Sequence, residues 1–221
     1  MLTVNNISFT YGKGKRKKPI IKNLTFHASR GECVVLAGQN GAGKSTVLSI
    51  IAGILSPDAG EVILNEKAAY VPQGTALPED MTVDECLNFF AGLEKCAVPS
   101  NLPFSVGEIK KKKVASLSGG MKKQASIACA TLSDPPIILL DEPCAALDIV
   151  FRDEMIQTVE KWKSQGKTII YVGHDPEEFY TFFDSVVFIG EASSVYKKQD
   201  IPRETEDIQS FTSFYRSMIT G

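Results

Sequence analysis

Eight consecutive residues, Gly38-Gln39-Asn40-Gly41-Ala42-Gly43-Lys44-Ser45, concentrate more chemistry than any other stretch of the chain. They fit the spacing G-x-x-x-x-G-K-[ST]. Glycines there let the backbone curl so that successive N–H groups face phosphate, the lysine reaches the β and γ phosphates, and the serine hydroxyl is placed for Mg²⁺. A second group is Ile137-Ile138-Leu139-Leu140-Asp141-Glu142, an apolar run closed by two carboxylates. Taken alone, such a run is common at strand ends. Beside a phosphate-binding loop, Asp141 is placed to hold Mg²⁺ through water and Glu142 to polarise an attacking water. A third group, Leu117-Ser118-Gly119-Gly120-Met121, puts a hydroxyl and two glycines at the start of a helical pattern. Free backbone N–H groups and the helix dipole at that point suit a γ-phosphate.

These groups need elements to hold them. Glu32 to Ala37 is a short Val-rich run that reads as a strand, and Lys44 to Ile54 has helical periodicity, so the glycine loop lies between strand and helix. Upstream, LTVNNISFTYG and PIIKNLTFHAS alternate apolar and polar residues and predict a small antiparallel sheet. Two short strands, EVILN and AAYVPQ, follow the turn at Pro57, Asp58 and Gly60. From Thr82 the pattern becomes helical, with two predicted capping boxes, Thr82-x-x-Glu85 and Ser105-x-x-Glu108. A helix from Met121 to about Leu132 completes an inserted helical subdomain over residues 74–131 of a single domain spanning 1–221. Strand Ile137 to Leu140, helix Ile149 to Ser164, strand Thr168 to Val172, a helix from Pro176 and strand Ser185 to Ile189 then alternate. The fold class is α/β, a mostly parallel sheet covered on both faces.

With 24 basic and 26 acidic residues among 221, the net charge of −2 gives no global reason to expect nucleic acid as a partner. Five scattered cysteines without a C-x-x-C pair indicate neither a disulfide framework nor a zinc site, and a reducing cytoplasm fits them best. Cys144 reads as a small buried thiol rather than a redox switch. No signal peptide and no apolar run of about 20 residues is present. Two basic clusters, Lys13 to Lys18 and Lys110 to Lys113, read as a solvated loop and a helix end, with contact to anionic lipid headgroups as the sharper alternative. The tail QDIPRETEDIQSFTSFYRSMI reads as an amphipathic helix with Phe211, Phe214, Tyr215 and Met218 on one side, packed on the domain.

Taken together the motifs resemble those of ABC ATPases. Leu117-Ser118-Gly119-Gly120 matches that family's signature, and its other elements stand in order around it from residue 2 to about 190. The resemblance implies a RecA-like P-loop NTPase core. It implies that Tyr11 stacks on adenine, that residues 38–45 and Thr46 hold the nucleotide, that Gln73 is the Q-loop glutamine and a Mg²⁺ ligand with Ser45 and Asp141, and that Ala146-Leu147-Asp148 is the D-loop. His174 looks like the switch histidine that contacts the γ-phosphate. Read singly, Gln73 and Asp148 also suit turns or caps, and His174 precedes a helix start at Asp175-Pro176.

By the same resemblance the chain binds ATP and Mg²⁺ and hydrolyses ATP. It dimerises head to tail, most simply as a homodimer, with Ser118 and Gly120 contacting the nucleotide of the second subunit. It serves a separate transmembrane permease from the cytoplasmic face of the membrane. Met121 replaces the glutamine that commonly ends the signature and Gln124 replaces an arginine, a form similar to exporter ATPases of the ABC-2 type, which TVDECLNFFAGL also resembles. Export is the expected direction. An importer subunit and a soluble ABC ATPase of an assembly system are the alternatives.

Overall fold

The computed structural model describes residues 1–12, 17–75, 77–145, 147–190, 193–201 and 207–220. Most of the Lys13 to Lys18 cluster, and Ala146 of the 146–148 tripeptide, lie outside them.

Strand order follows from where apolar residues can be buried. β3 (Cys33–Ala37), β6 (Ile137–Asp141) and β7 (Thr168–Val172) are buried at every position, as parallel strands covered on both faces must be. They lie in a six-stranded sheet with β5 (Ala68–Val71), β8 (Ser185–Phe188) and β9 (Ser194–Lys197), in the order β5-β6-β7-β3-β8-β9. All neighbours are parallel except β8 and β9. β1 (Leu2–Tyr11), β2 (Lys18–Ala28) and β4 (Ala59–Leu64) form the expected small antiparallel sheet, in the order β2-β1-β4.

Alternation along each central strand divides the core in two. Val34, Leu36, Ile137, Leu139, Ile170 and Val172 face α1 (Lys44–Ile51) and the antiparallel sheet. Val35, Ile138, Leu140, Ile169, Tyr171 and Val186 face the other way. There they pack on α5 (Ile149–Ser164), through Phe151, Met155 and Val159, and on the aromatic side of the C-terminal helix, through Phe211 and Tyr215. The tail forms the predicted amphipathic helix, α7 (Ile208–Thr220), and α6 (Pro176–Phe179) supplies Phe179 between it and the sheet.

A third cluster is separate from the sheet. α2 (Val83–Glu94), α3 (Val106–Ile109) and α4 (Gly119–Ala130) bury Val83, Leu87, Val106, Ile109, Ala125 and Cys129 against one another. The Thr82 capping box forms: Thr82 Oγ1 accepts from Glu85 N at 3.2 Å and Glu85 accepts from Thr82 N at 2.7 Å. The Ser105 box does not form. Ser105 has ψ 33°, outside the extended range a capping serine uses, and α3 is a single turn of four residues with no side-chain cap. The Lys110 to Lys113 run takes part through its backbone, since Val83 N and Asp84 N donate to the carbonyls of Lys112 and Lys110. α1 ends at Ile51, three residues before the expected end, because Gly53 takes φ +73° just beyond its last turn. Among the described residues no helix is long and apolar enough to cross a membrane.

Candidate nucleotide site

Register decides which loops meet. Leu36 and Asp141 both pair with Val172, and Leu140 pairs with Val71, so the carboxyl ends of β3, β5, β6 and β7 lie abreast. The residues that follow those ends are Gly38, Gln73, Glu142 and His174. Parallel α/β sheets collect their ligand-binding groups at this edge.

The loop after β3 has a backbone that side chains would obstruct. Gly38 has φ +149°, and a Cβ there would stand 2.5 Å from the carbonyl oxygen of Ile189. Gly43, at the N-cap of α1, has φ +105° and lies against Ile20, where a Cβ would stand 2.6 Å from Cγ2. Lys44 is 5% exposed, and its Nζ donates to the carbonyls of Gly38 at 2.9 Å and Gln39 at 3.1 Å. Burial lowers its pKa, while Glu142 and Asp141 nearby oppose that shift. The ammonium thus crosses its own loop at the start of a helix, where anions are favoured.

Ser45 and Asp141 meet as the sequence requires. Ser45 Oγ donates to Asp141 Oδ1 at 3.0 Å, and Tyr70 Oη donates to Oδ2 at 3.3 Å. Asp141 is 2% exposed, and burial raises its pKa against the pull of these two donors. A carboxylate and a hydroxyl, both hard oxygen donors, fit a small divalent cation at this point, with Gln73 on the neighbouring strand end. Among the described residues no group of three or more His, Cys, Asp or Glu side chains gathers to hold a metal unaided.

Gln73, Glu142 and His174 converge. Gln73 Nε2 donates to Glu142 Oε2 at 2.6 Å, and His174 Nε2 lies 2.5 Å from Glu142 Oε1. Glu142 has φ +45°, a left-handed conformation that costs a non-glycine residue about 1–2 kcal/mol. Its N–H donates to Val172 O, which holds the turn in place. The His174 loop is fixed from behind. Asp175 caps α6 by accepting from Glu177 N, while Arg152 of α5 pairs with Asp175 at 3.0 Å and Glu177 at 2.9 Å. Tyr215 of α7 donates to Gly173 O at 3.3 Å.

The remaining predicted residues stand around this centre. Tyr11 is 46% exposed, with its hydroxyl 3.3 Å from Thr46 Oγ1 at the first turn of α1. Gln39 and Asn40 are exposed at the loop crest, and Gln39 Nε2 donates to Ile219 O of α7. Asp148 caps α5 by accepting from Phe151 N at 2.9 Å. Leu117 is buried, whereas Ser118 and Gly119 are exposed at the start of α4, followed by the half-buried Gly120 and Met121. Ser118 Oγ accepts from Met121 N at 3.3 Å, a cap that leaves its own proton to donate. Among the described residues no hydrogen bond or ion pair joins Leu117, Ser118, Gly119, Gly120 or Met121 to Lys44 or Glu142.

Two residues that the sequence reading did not single out border the site. Tyr70 sits two residues before Pro72 on β5, where strand alternation could have flagged it. Lys123 of α4 is 3% exposed, and its Nζ donates to the carbonyls of Pro72 at 2.7 Å and Gln73 at 3.1 Å. Burial pushes its pKa down to about 8, against the carboxylates of Asp141 and Glu142. Cys144, two residues after Glu142, is a buried thiol whose pKa burial raises to about 12.

Residues 21–145 match the family described as ABC transporter. The chain is 32% identical to the linearmycin resistance ATP-binding protein LnrL of Bacillus subtilis, with 91% of this chain and 70% of that one aligned. It is 33% identical to the taurine import ATP-binding protein TauB of Ruegeria pomeroyi, over 80% of this chain and 73% of that one. A dimeric ATP-binding cassette solved in a post-hydrolysis state with ADP and Pi superposes with a TM-score of 0.76 at 26% identity, covering 88% of this chain and 98% of that one. The chain therefore belongs to the ABC transporter family as an ATP-binding ATPase subunit.

Proposed function

We propose that the cluster of Gln73, Glu142 and His174, beside Ser45 and Asp141, is the catalytic half of an ATP hydrolysis site that a second copy of the chain completes. The observation that carries this reading is the pair of short contacts from Gln73 and His174 to the one carboxylate of Glu142. A carboxylate held from both sides is oriented to accept a proton from water.

The loop from Gly38 to Thr46 binds the triphosphate and Tyr11 packs on the base. Mg²⁺, held by Ser45, Gln73 and Asp141, supplies positive charge to the phosphate oxygens when bound. Lys44 exchanges its two loop carbonyls for phosphate oxygens. Glu142 orients or deprotonates water, and His174 reaches the γ-phosphate. Ser118, Gly119 and Gly120 have no nucleotide loop of their own chain beside them, which supports contact in trans with the nucleotide of a second copy. Asp148 follows Leu147, whose Cδ2 lies 3.6 Å from where a Cβ on Gly119 would stand, and is assigned to the same trans contact. Opening and closing of that dimer drives a separate transmembrane permease, which places the chain at the inner face of the cell membrane.

Export is the direction we infer, from Met121, from the segment around Thr82 and from similarity to a resistance ATP-binding protein. Import is the second reading, favoured by the likeness to a taurine import protein. Two experiments test the proposal. Glu142→Gln should abolish turnover and leave a stable ATP-bound dimer, and hydrolysis near the parent rate would overturn the assignment. Purification from detergent-solubilised membranes should recover a polytopic protein with the chain, and its absence would favour a soluble role.

A further inference from the structure

We propose that Lys123 is a positioning residue for hydrolysis: it clamps the segment carrying Gln73 to the helix that begins with Ser118, so that movement of α4 sets the orientation of Glu142. The inference rests on the reading of Glu142 and Ser118 given above.

Burying an ammonium is costly unless charge and hydrogen bonds compensate, and an apolar side chain would fill the same space without that cost. The hydrogen bonds that compensate Lys123 come from one segment of backbone, beside the more distant carboxylates of Asp141 and Glu142. Two of its three protons go to consecutive carbonyls, Pro72 and Gln73, directly after β5. Its neighbour Lys122 shows the ordinary alternative, a surface pairing with Glu79. Lys123 therefore joins two elements that share no strand pairing. From Ser118 the connection runs along the first turns of α4 to the ammonium, through the backbone at Gln73, and through the Gln73 side chain to Glu142 Oε2 at 2.6 Å. Every link is a direct bond or a rigid helix. When a γ-phosphate engages the tip of α4, the displacement reaches the water-orienting carboxylate by this route. Lys123 does not touch the reacting atoms, so it acts through Gln73.

The test is a kinetic cycle on the full-length chain with Lys123→Met, Lys123→Arg and Gln73→Ala, each measured for kcat and KM of ATP and for thermal unfolding. Lys123→Met should lower kcat by about tenfold or more with KM changed by less than about twofold, because nucleotide is held elsewhere. Lys123→Arg, which keeps donors on a long stem, should restore most of that loss. In the Gln73→Ala background Lys123→Met should cost almost nothing further, as expected of residues acting as one unit. A parent-like kcat for Lys123→Met, or losses that multiply in the double variant, would overturn the proposal. So would a fall in melting temperature alone. Should Lys123→Met fail to fold, Lys123→Gln takes its place in the same cycle with the same expectations. Failure of the Glu142 assignment would show separately, as turnover by Glu142→Gln.

Discussion

The edge of the parallel sheet and the tip of α4 carry comparable polar groups but are finished to different degrees. At the sheet edge Ser45, Asp141, Tyr70, Gln73, Glu142 and His174 are joined by hydrogen bonds between elements far apart in sequence. At the tip of α4 the hydroxyl of Ser118 bonds, among the described residues, to the first turn of its own helix alone, and Ser118 and Gly119 face solvent. One half is organised by the fold itself. The other is a helix N-terminus presented outward, with the anion preference of such termini and, among the described residues, no anion-binding group bonded to it. The difference teaches that folding alone organises one cluster and leaves the other open, which is the basis for proposing that association supplies the rest.

That contrast can be broken by substitutions on either side. The largest effect is expected at the finished half: Glu142→Gln keeps the shape and removes the base, so hydrolysis should fall by about a thousandfold or more while ATP binding persists, measured by phosphate release and by size-exclusion chromatography with ATP. On the outward half, Gly120→Asp adds an anion at the terminus proposed to meet phosphate and should lower hydrolysis by about a hundredfold, with ATP still bound by the monomer.

A finer comparison uses two helix caps. Thr82→Ala and Ser118→Ala each remove a side-chain cap and should each cost about 1 kcal/mol in chemical denaturation. Only Ser118→Ala should lower turnover. Equal turnover losses would mean that Ser118 is no more than a cap.

The smallest effect concerns Glu178, on α6 behind the His174 loop, whose carboxyl accepts from Tyr171 Oη at 3.0 Å. Burial raises its pKa above the ordinary value of 4.5, only partly offset by that bond. Below about pH 4.5 both folded and unfolded forms are protonated and the group contributes nothing to the pH dependence. As pH rises above that, the unfolded chain releases its proton first, so stability falls until the folded pKa is passed. Glu178→Gln, which does not titrate and can still accept from Tyr171, should therefore melt higher than the parent near pH 8, and the gain should vanish near about pH 4. A gain that grows towards acid would contradict the burial argument.

Much of this was legible in the sequence because the relevant signals are local. Fully apolar runs announced β6 and β7, Thr82 with Glu85 announced the start of α2, and Asp148 and Asp175 stand at the caps where acidic residues precede helices. Gly38, Gln73, Glu142 and His174 also follow strands that the sequence pattern marks. What stayed hidden depends on contacts between distant segments. Lys123 follows another lysine near the start of α4, where the expectation for lysine is solvent, and the carbonyls of Pro72 and Gln73 that receive it in the interior lie some 50 residues away in sequence. Ser105 has the capping-box spacing, but the chain bends before a single-turn helix and its side chain caps nothing. The aromatic side of α7 was readable. That α7 would touch both Gln39 and Gly173 was not, since those bonds span 180 and 42 residues.

The central claim, that Glu142 of one copy works with Ser118 and Gly120 of another, is tested most directly by mixing Glu142→Gln and Gly120→Asp chains. Each alone should be inactive. In a mixed dimer one site has its own Glu142 and faces an intact α4 tip, so an equimolar mixture should recover about a quarter of the parent rate of ATP hydrolysis. A mixture as inactive as its components would contradict completion of the site by a second copy.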